Sequence, residues 1–131
     1  MHTPPLILVV DDEKDLLEIT SLKLQSSGFV AAVAYNAREA VDAARKLLPD
    51  LILMDIRMPG ESGTDAALEI KQMPETKDIK IVFLSSLKDP WPATKGARDD
   101  VTKAIGMEDF IDKTGDLNIM VAKVREVLAR S

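Results

Sequence analysis

The stretch Leu6-Ile7-Leu8-Val9-Val10-Asp11-Asp12-Glu13 decides the fold. Five apolar residues run without alternation and then stop at three acids. A strand with one wet face alternates apolar and polar residues. An unbroken run of this length suits a strand buried on both faces, as in a parallel sheet covered by helices. Two further runs have the same character: Leu51-Ile52-Leu53-Met54, which ends at Asp55, and Ile81-Val82-Phe83-Leu84, which ends at Ser85-Ser86. A thinner run covers Phe29 to Ala34, and Phe110-Ile111 is a weak fifth candidate.

Helical patterns fill the gaps. Glu13 to Ser27 places Leu16, Leu17, Thr20 and Leu24 on one face, with Gly28 set to end the helix. Asn36 with Glu39 makes a capping-box-like start, followed by a stripe of Ala37, Ala40, Val41, Ala44 and Leu48 that Pro49 stops. Ser62 can cap a third helix carrying Ala66, Ile70 and Met73. Ala97, Val101, Ala104 and Ile105 mark another, ended at Gly106, and Leu117, Val121, Val124 and Leu128 form the stripe of a last one. Strand and helix alternate five times. With right-handed crossovers, this predicts an α/β fold: a single doubly wound five-stranded parallel sheet flanked by five helices. Residues 1–131 read as one domain, with an ordered core over about 5–129.

The bulk properties exclude several classes. With 17 Lys and Arg against 22 Asp and Glu, the net charge is −5, and no basic stripe appears, so direct nucleic-acid binding is not expected. No apolar run reaches the ~20 residues of a membrane span, and the N-terminus is no signal peptide. The expectation is a cytoplasmic protein. The absence of cysteine removes thiolate catalysis and thiolate metal sites. His2 is the lone histidine, expected in a mobile terminus, so an imidazole-rich zinc site is also unavailable.

Ligands in open parallel sheets bind at the carboxyl ends of the strands. Those ends carry Asp11-Asp12, Asp55, Ser85 and, after Asp112, Lys113. Each alone is weak: a lone Asp at a strand end is more often a turn former or cap. Together they put carboxylates, a hydroxyl and an ammonium at one sheet edge. Clustered carboxylates repel unless something positive sits between them. An all-oxygen, acid-rich set suits a hard cation such as Mg²⁺. A carboxylate can attack phosphorus, and a cation, an ammonium and a hydroxyl are what a phosphoryl group in transfer requires.

The set Asp11-Asp12-Glu13, Asp55-Ile56-Arg57-Met58-Pro59-Gly60, Ser85-Ser86 and Lys113 resembles the signature of response-regulator receiver domains, from Leu6 to Leu128. The resemblance implies the flavodoxin-like strand order 2-1-3-4-5, which is the known order of such folds and not a derivation from these residues. It implies that Asp55 is the phosphoacceptor, that Asp12 binds Mg²⁺ (or Mn²⁺), and that Asp11 helps directly or through water. It adds the Arg57 backbone carbonyl as a further ligand. Ser85 would bond the phosphoryl group, Lys113 would pair with it, and Phe110 would be the switch aromatic. Met58-Pro59-Gly60 would shape the loop after the acceptor strand.

The implied donor is a sensor histidine kinase or histidine phosphotransfer protein. The implied reader is a downstream output protein or domain, and a homodimer is left open. Such a domain is not a turnover enzyme; it catalyses its own phosphotransfer and slow autodephosphorylation. Two departures stand out. Thr114 follows Lys113 where the family usually has proline, and a non-proline cis bond costs about 3 kcal/mol, so a trans bond is expected. The segment after Ser85 is long and holds Pro90-Trp91-Pro92, with Trp91 either packed on the domain's own surface or presented to a partner. Arg57 and Leu87 are expected to flank the crevice.

Two rivals remain at this stage. A dehalogenase-type phosphatase would place a second Asp two positions after its nucleophile, where Arg57 and Glu13 stand instead. A receiver-like interaction module that is never phosphorylated is the other.

Overall fold

The apolar runs become strands whose successive side chains enter two separate cores. The structure is a computed structural model that describes residues 2–56, 62–85, 109–112 and 115–130, with Ser85, Asp109, Phe110 and Asp112 described by backbone alone. Its strands are β1 (Leu6–Val10), β2 (Val30–Ala34), β3 (Leu51–Asp55), β4 (Lys80–Ser85) and β5 (Asp109–Asp112). The helices described are α1 (Lys14–Ser26), α2 (Ala37–Leu47), α3 (Gly63–Gln72) and α4 (Leu117–Ala129). The strands form one parallel sheet in the order β2-β1-β3-β4-β5. The helix expected over 97–105 lies outside the described residues, so four of the five expected helices are placed.

Alternation across the sheet explains the unbroken runs. Leu8, Val10, Ile52, Met54, Ile81 and Phe83 pack with α2 and α3 through Ala40, Val41, Ala44, Ala66 and Ile70. Ile7, Val9, Leu51, Leu53, Val82 and Leu84 point the other way, against Leu17 and Leu24 of α1 and Met120, Val121, Val124 and Val127 of α4. Both faces of β1, β3 and β4 are therefore dry, and polar residues are excluded from both. β2 and β5 are the edges. Val30 and Val33 of β2 are exposed, which matches its thinner apolar run.

Local chemistry sets the helix ends. After α1, the Phe29 N–H donates to the Leu24 carbonyl and the Gly28 N–H to that of Gln25. This Schellman arrangement needs the positive φ of +96° that Gly28 supplies. At α2 the Asn36 side chain accepts from the Glu39 N–H at 2.9 Å. The return bond of the expected capping box is displaced by one residue: Glu39 accepts from the Tyr35 N–H at 2.9 Å. Leu48, expected in the α2 stripe, instead adopts a left-handed φ of 48° and is exposed, because Pro49 prevents a further turn. Ser62 caps α3 by accepting from the Asp65 N–H at 3.2 Å.

The far edge of the sheet is tied by side chains. Asp50 accepts from the Leu6 N–H at 2.8 Å and from the His2 N–H, while the His2 ring meets the Leu48 carbonyl at 3.0 Å. His2 thus lies against the approach to β3. The Lys80 ammonium donates to the Val127 carbonyl at 2.9 Å and to that of Arg130, satisfying the last turn of α4. These ties leave the opposite edge, at the strands' carboxyl ends, free for chemistry.

Asn36→Ala should lower stability by about 1 kcal/mol in urea denaturation with an unchanged slope, because it leaves the Glu39 N–H without its cap. A loss below a few tenths of a kcal/mol contradicts the capping role.

Candidate metal and phosphoacceptor site

The chain diverges where β1 and β3 lie side by side. From β1 it passes through α1 to β2 on one flank, and α2 then returns it to β3 on the other. A crevice opens at such a switch point, outside the carboxyl ends of the two strands. Asp11 and Asp55 stand at that point, each directly continuing or ending a strand.

Backbone bonds fix both. The Asp11 N–H donates to the Ala34 carbonyl at 3.2 Å, extending the β1–β2 ladder by one residue. One Asp11 carboxylate oxygen accepts from the Glu13 N–H at 2.9 Å, a turn that aims the side chain across the start of α1. Asp55 pairs in register with Leu84, and the next residue continues the ladder through the Ile56 N–H to the Leu84 carbonyl at 3.2 Å. Asp11 and Asp55 are both 0% exposed, whereas Asp12 faces solvent. One carboxylate oxygen from each of Asp11, Asp12 and Asp55 lies within 4.8 Å of the other two.

That separation decides the chemistry. Two unit charges this close repel by a few kcal/mol at the effective dielectric of a protein interior. Two of the three carboxylates have also lost their contact with bulk water. The donor set is all oxygen, and its spacing lets one small cation touch or reach each carboxylate, directly or through water. No histidine or cysteine takes part, so the set favours Mg²⁺ or Mn²⁺ over softer metals.

The structure brings together three of the residues singled out in the sequence: Asp11, Asp12 and Asp55. Ser85 ends β4 in register with Asp112, the last residue of β5, whereas Phe110 pairs with Phe83, two residues short of those strand ends. Lys113, Arg57, Met58-Pro59-Gly60, Ser86, Leu87, Trp91 and Thr114 lie outside the described residues. Glu13 serves as the residue before α1 and gives its N–H to Asp11.

Sequence reasoning passed over Gly63. The first residue of α3, it gives its N–H to the Ile56 carbonyl at 2.9 Å. A Cβ there would lie 1.9 Å from the carbonyl oxygen of Asp55. Glycine is a poor helix residue, and its presence directly after a Ser cap was the available signal that space is short.

The comparisons with known proteins agree with this geometry. The family model described as "Response regulator receiver domain" matches residues 7–125. The chain is 32% identical over 127 residues to the phosphate regulon transcriptional regulatory protein PhoB of Pseudomonas aeruginosa, covering 95% of this chain and 52% of that protein. It is 33% identical over 125 residues to the DNA-binding response regulator MtrA of Mycobacterium tuberculosis, covering 95% and 51%. The chain thus spans about half the length of these curated relatives. Among solved structures, the response regulator TrrA of Thermotoga maritima in complex with Mg²⁺-BeF superposes with a TM-score of 0.77. It is 31% identical, with 94% of this chain and 98% of that one covered.

Mg²⁺ should raise the urea midpoint of the wild type, by about 2.7 kcal/mol of stability at a concentration 100 times the dissociation constant. Asp12→Asn and Asp55→Asn should each lose most of that increment. An equal increment in all three proteins contradicts the site.

Proposed function

Because the chain belongs to the response regulator receiver domain family, we propose that Asp55 is its phosphoacceptor and that Asp11, Asp12 and Asp55 hold a Mg²⁺ ion required for the transfer. The observation that carries this reading is the convergence of the three carboxylates within 4.8 Å at the switch point of the sheet. It is supported by a relative of the same fold whose structure contains Mg²⁺-BeF. Residues 1–131 act as one receiver unit, a signalling domain and not a turnover enzyme.

The chemistry follows from the residues. An Asp55 oxygen attacks the phosphorus of a phosphohistidine on a partner protein. The P–O bond forms as the P–N bond breaks, and the leaving imidazole nitrogen keeps the electron pair and takes a proton. Asp11 and Asp12 would hold the ion beside Asp55, where its positive charge would favour the carboxylate form of the acceptor. The Arg57 backbone carbonyl is the further ligand in this reading. When bound, the ion supplies positive charge that lowers repulsion between the carboxylates and the incoming phosphoryl oxygens. Lys113 pairs with the phosphoryl group, and Ser85 bonds it once it is attached. Water later hydrolyses the acyl phosphate and returns Asp55 to its free form.

Phosphorylation acts as a population shift. The phosphoryl group favours the arrangement in which Ser85 and Phe110 have moved, and a different surface faces the output partner. In this reading the donor is a sensor histidine kinase or histidine phosphotransfer protein, and the domain works in the cytoplasm. No helix among the described residues is long and apolar enough to cross a membrane. The curated relatives are longer proteins of transcriptional regulation and DNA binding, and the receiver reading calls for no nucleic-acid contact by this chain.

Incubation with acetyl phosphate and Mg²⁺ should add one phosphoryl group, read by intact-mass spectrometry. Asp55→Asn or removal of Mg²⁺ with EDTA should abolish the adduct. An unmodified wild type favours the rival reading of a receiver-like interaction module, and an adduct that survives in Asp55→Asn contradicts the assigned acceptor.

A further inference from the structure

The three carboxylates come from two strand ends, so their spacing depends on where the Asp55 backbone sits. β3 pairs with β1 through Met54 and with β4 through Asp55, and those ladders fix its position along the sheet. They do not fix how far the strand's end lifts out of the sheet plane. One further contact bears on that. The first turn of α3 rests on the Asp55–Ile56 backbone through Gly63, whose N–H donates to the Ile56 carbonyl at 2.9 Å. A Cβ at position 63 would meet the Asp55 carbonyl oxygen at 1.9 Å, its carbonyl carbon at 2.9 Å and the Ile56 Cα at 3.1 Å. All three are backbone atoms, so no side chain can swing aside.

α3 itself is held in place. Ser62 caps its start, and Ala66, Ala67 and Ile70 are fully buried against the sheet. Thr76 donates its hydroxyl to the Ile70 carbonyl at 2.6 Å near its other end. A side chain at 63 must therefore part the first turn of α3 from the strand end that carries Asp55 by roughly 1 Å, because close-packed interiors leave no slack. The Asp55 carboxylate sits on that strand end.

We propose that Gly63 is a positioning residue for the acceptor: the helix–strand contact that only glycine permits sets the height of Asp55 relative to Asp11 and Asp12. Gly63 touches neither cation nor phosphoryl group. Its effect runs through the Asp55 backbone, and the inference rests on the phosphoacceptor reading above. Closing the Gly63–Ile56 contact and binding at the carboxylates are then linked. Ligand bound at the site must suppress opening of the contact, and the two effects are reciprocal.

Two measurements test this. In the wild type, amide hydrogen exchange is followed at Gly63 and at Lys77, whose N–H donates to the Met73 carbonyl past the other end of α3. Magnesium with beryllofluoride at about 100 times the dissociation constant should slow exchange at Gly63 by up to about 100-fold, and by much more than at Lys77. Equal slowing at the two amides overturns the proposal, and needs no variant that folds.

In the second, Gly63→Ala should lose about 100-fold in phosphorylation rate by acetyl phosphate at saturating Mg²⁺, with the circular dichroism of a folded protein. Ala66→Gly, which loosens the same helix without adding an atom against the Asp55 backbone, should stay near the wild-type rate. Gly63→Ala that is folded and phosphorylated at the wild-type rate overturns the proposal while the phosphoacceptor reading stands. A wild type that neither binds beryllofluoride nor accepts phosphate overturns both.

Discussion

Mutual repulsion among Asp11, Asp12 and Asp55 is the constraint on which the rest of this structure depends. A fold driven by apolar burial would not place two carboxylates at 0% exposure within 4.8 Å of each other and of a third. Like charges this close oppose folding by a few kcal/mol for each pair unless positive charge or donated hydrogen bonds offset them. It persists because the surrounding frame is strong enough to impose it. A cation drawn into the cluster recovers that energy, which couples the stability of the sheet edge to the ion. Under the proposed function, an incoming phosphoryl group would meet positive charge that the cluster already calls for.

The frame consists of two cores on either side of one sheet. α2 and α3 cover one face and α1 and α4 the other, so β1 and β3 are gripped from both sides up to the residues that carry the acids. Ties at the opposite edge do the remaining holding. Asp50 binds the chain before β1, and Lys80 binds the last turn of α4. Arg125 reaches from α4 to the Ser27 carbonyl and lies over the Phe29 ring, joining α4 to the end of α1. Polar side chains that stabilise and polar side chains that react are thus separated to the two ends of the strands.

Much of this was legible in the residues. The unbroken runs at Leu6–Val10 and Leu51–Met54 meant strands dry on both faces, because no other arrangement tolerates four or five apolar residues in succession in a short strand. Asp11 and Asp55 then followed from the rule that ligands gather at strand ends. The faint signals at Phe29 to Ala34 and Phe110-Ile111 have a physical cause: both became edge strands, and in β2, where Val30 and Val33 are exposed, the apolar requirement is relaxed. What periodicity does not encode is close approach. Nothing in the pattern of α3 says that its first residue presses on the Asp55 carbonyl, and the displaced bond from Tyr35 to Glu39 is likewise a matter of ångströms. A terminal, polar residue such as His2 carries no pattern at all; only the fold shows that Asp50 and Leu48 come within its reach.

The sharpest test places the ion itself. Mn²⁺, titrated at substoichiometric amounts into the ¹⁵N-labelled protein, broadens amide resonances steeply with distance. The account requires the broadening to centre on Asp11, Asp12 and Asp55 and to vanish when excess Mg²⁺ competes. Broadening centred on another acidic surface, such as Asp42 and Glu75, with the strand ends sharp, would contradict it.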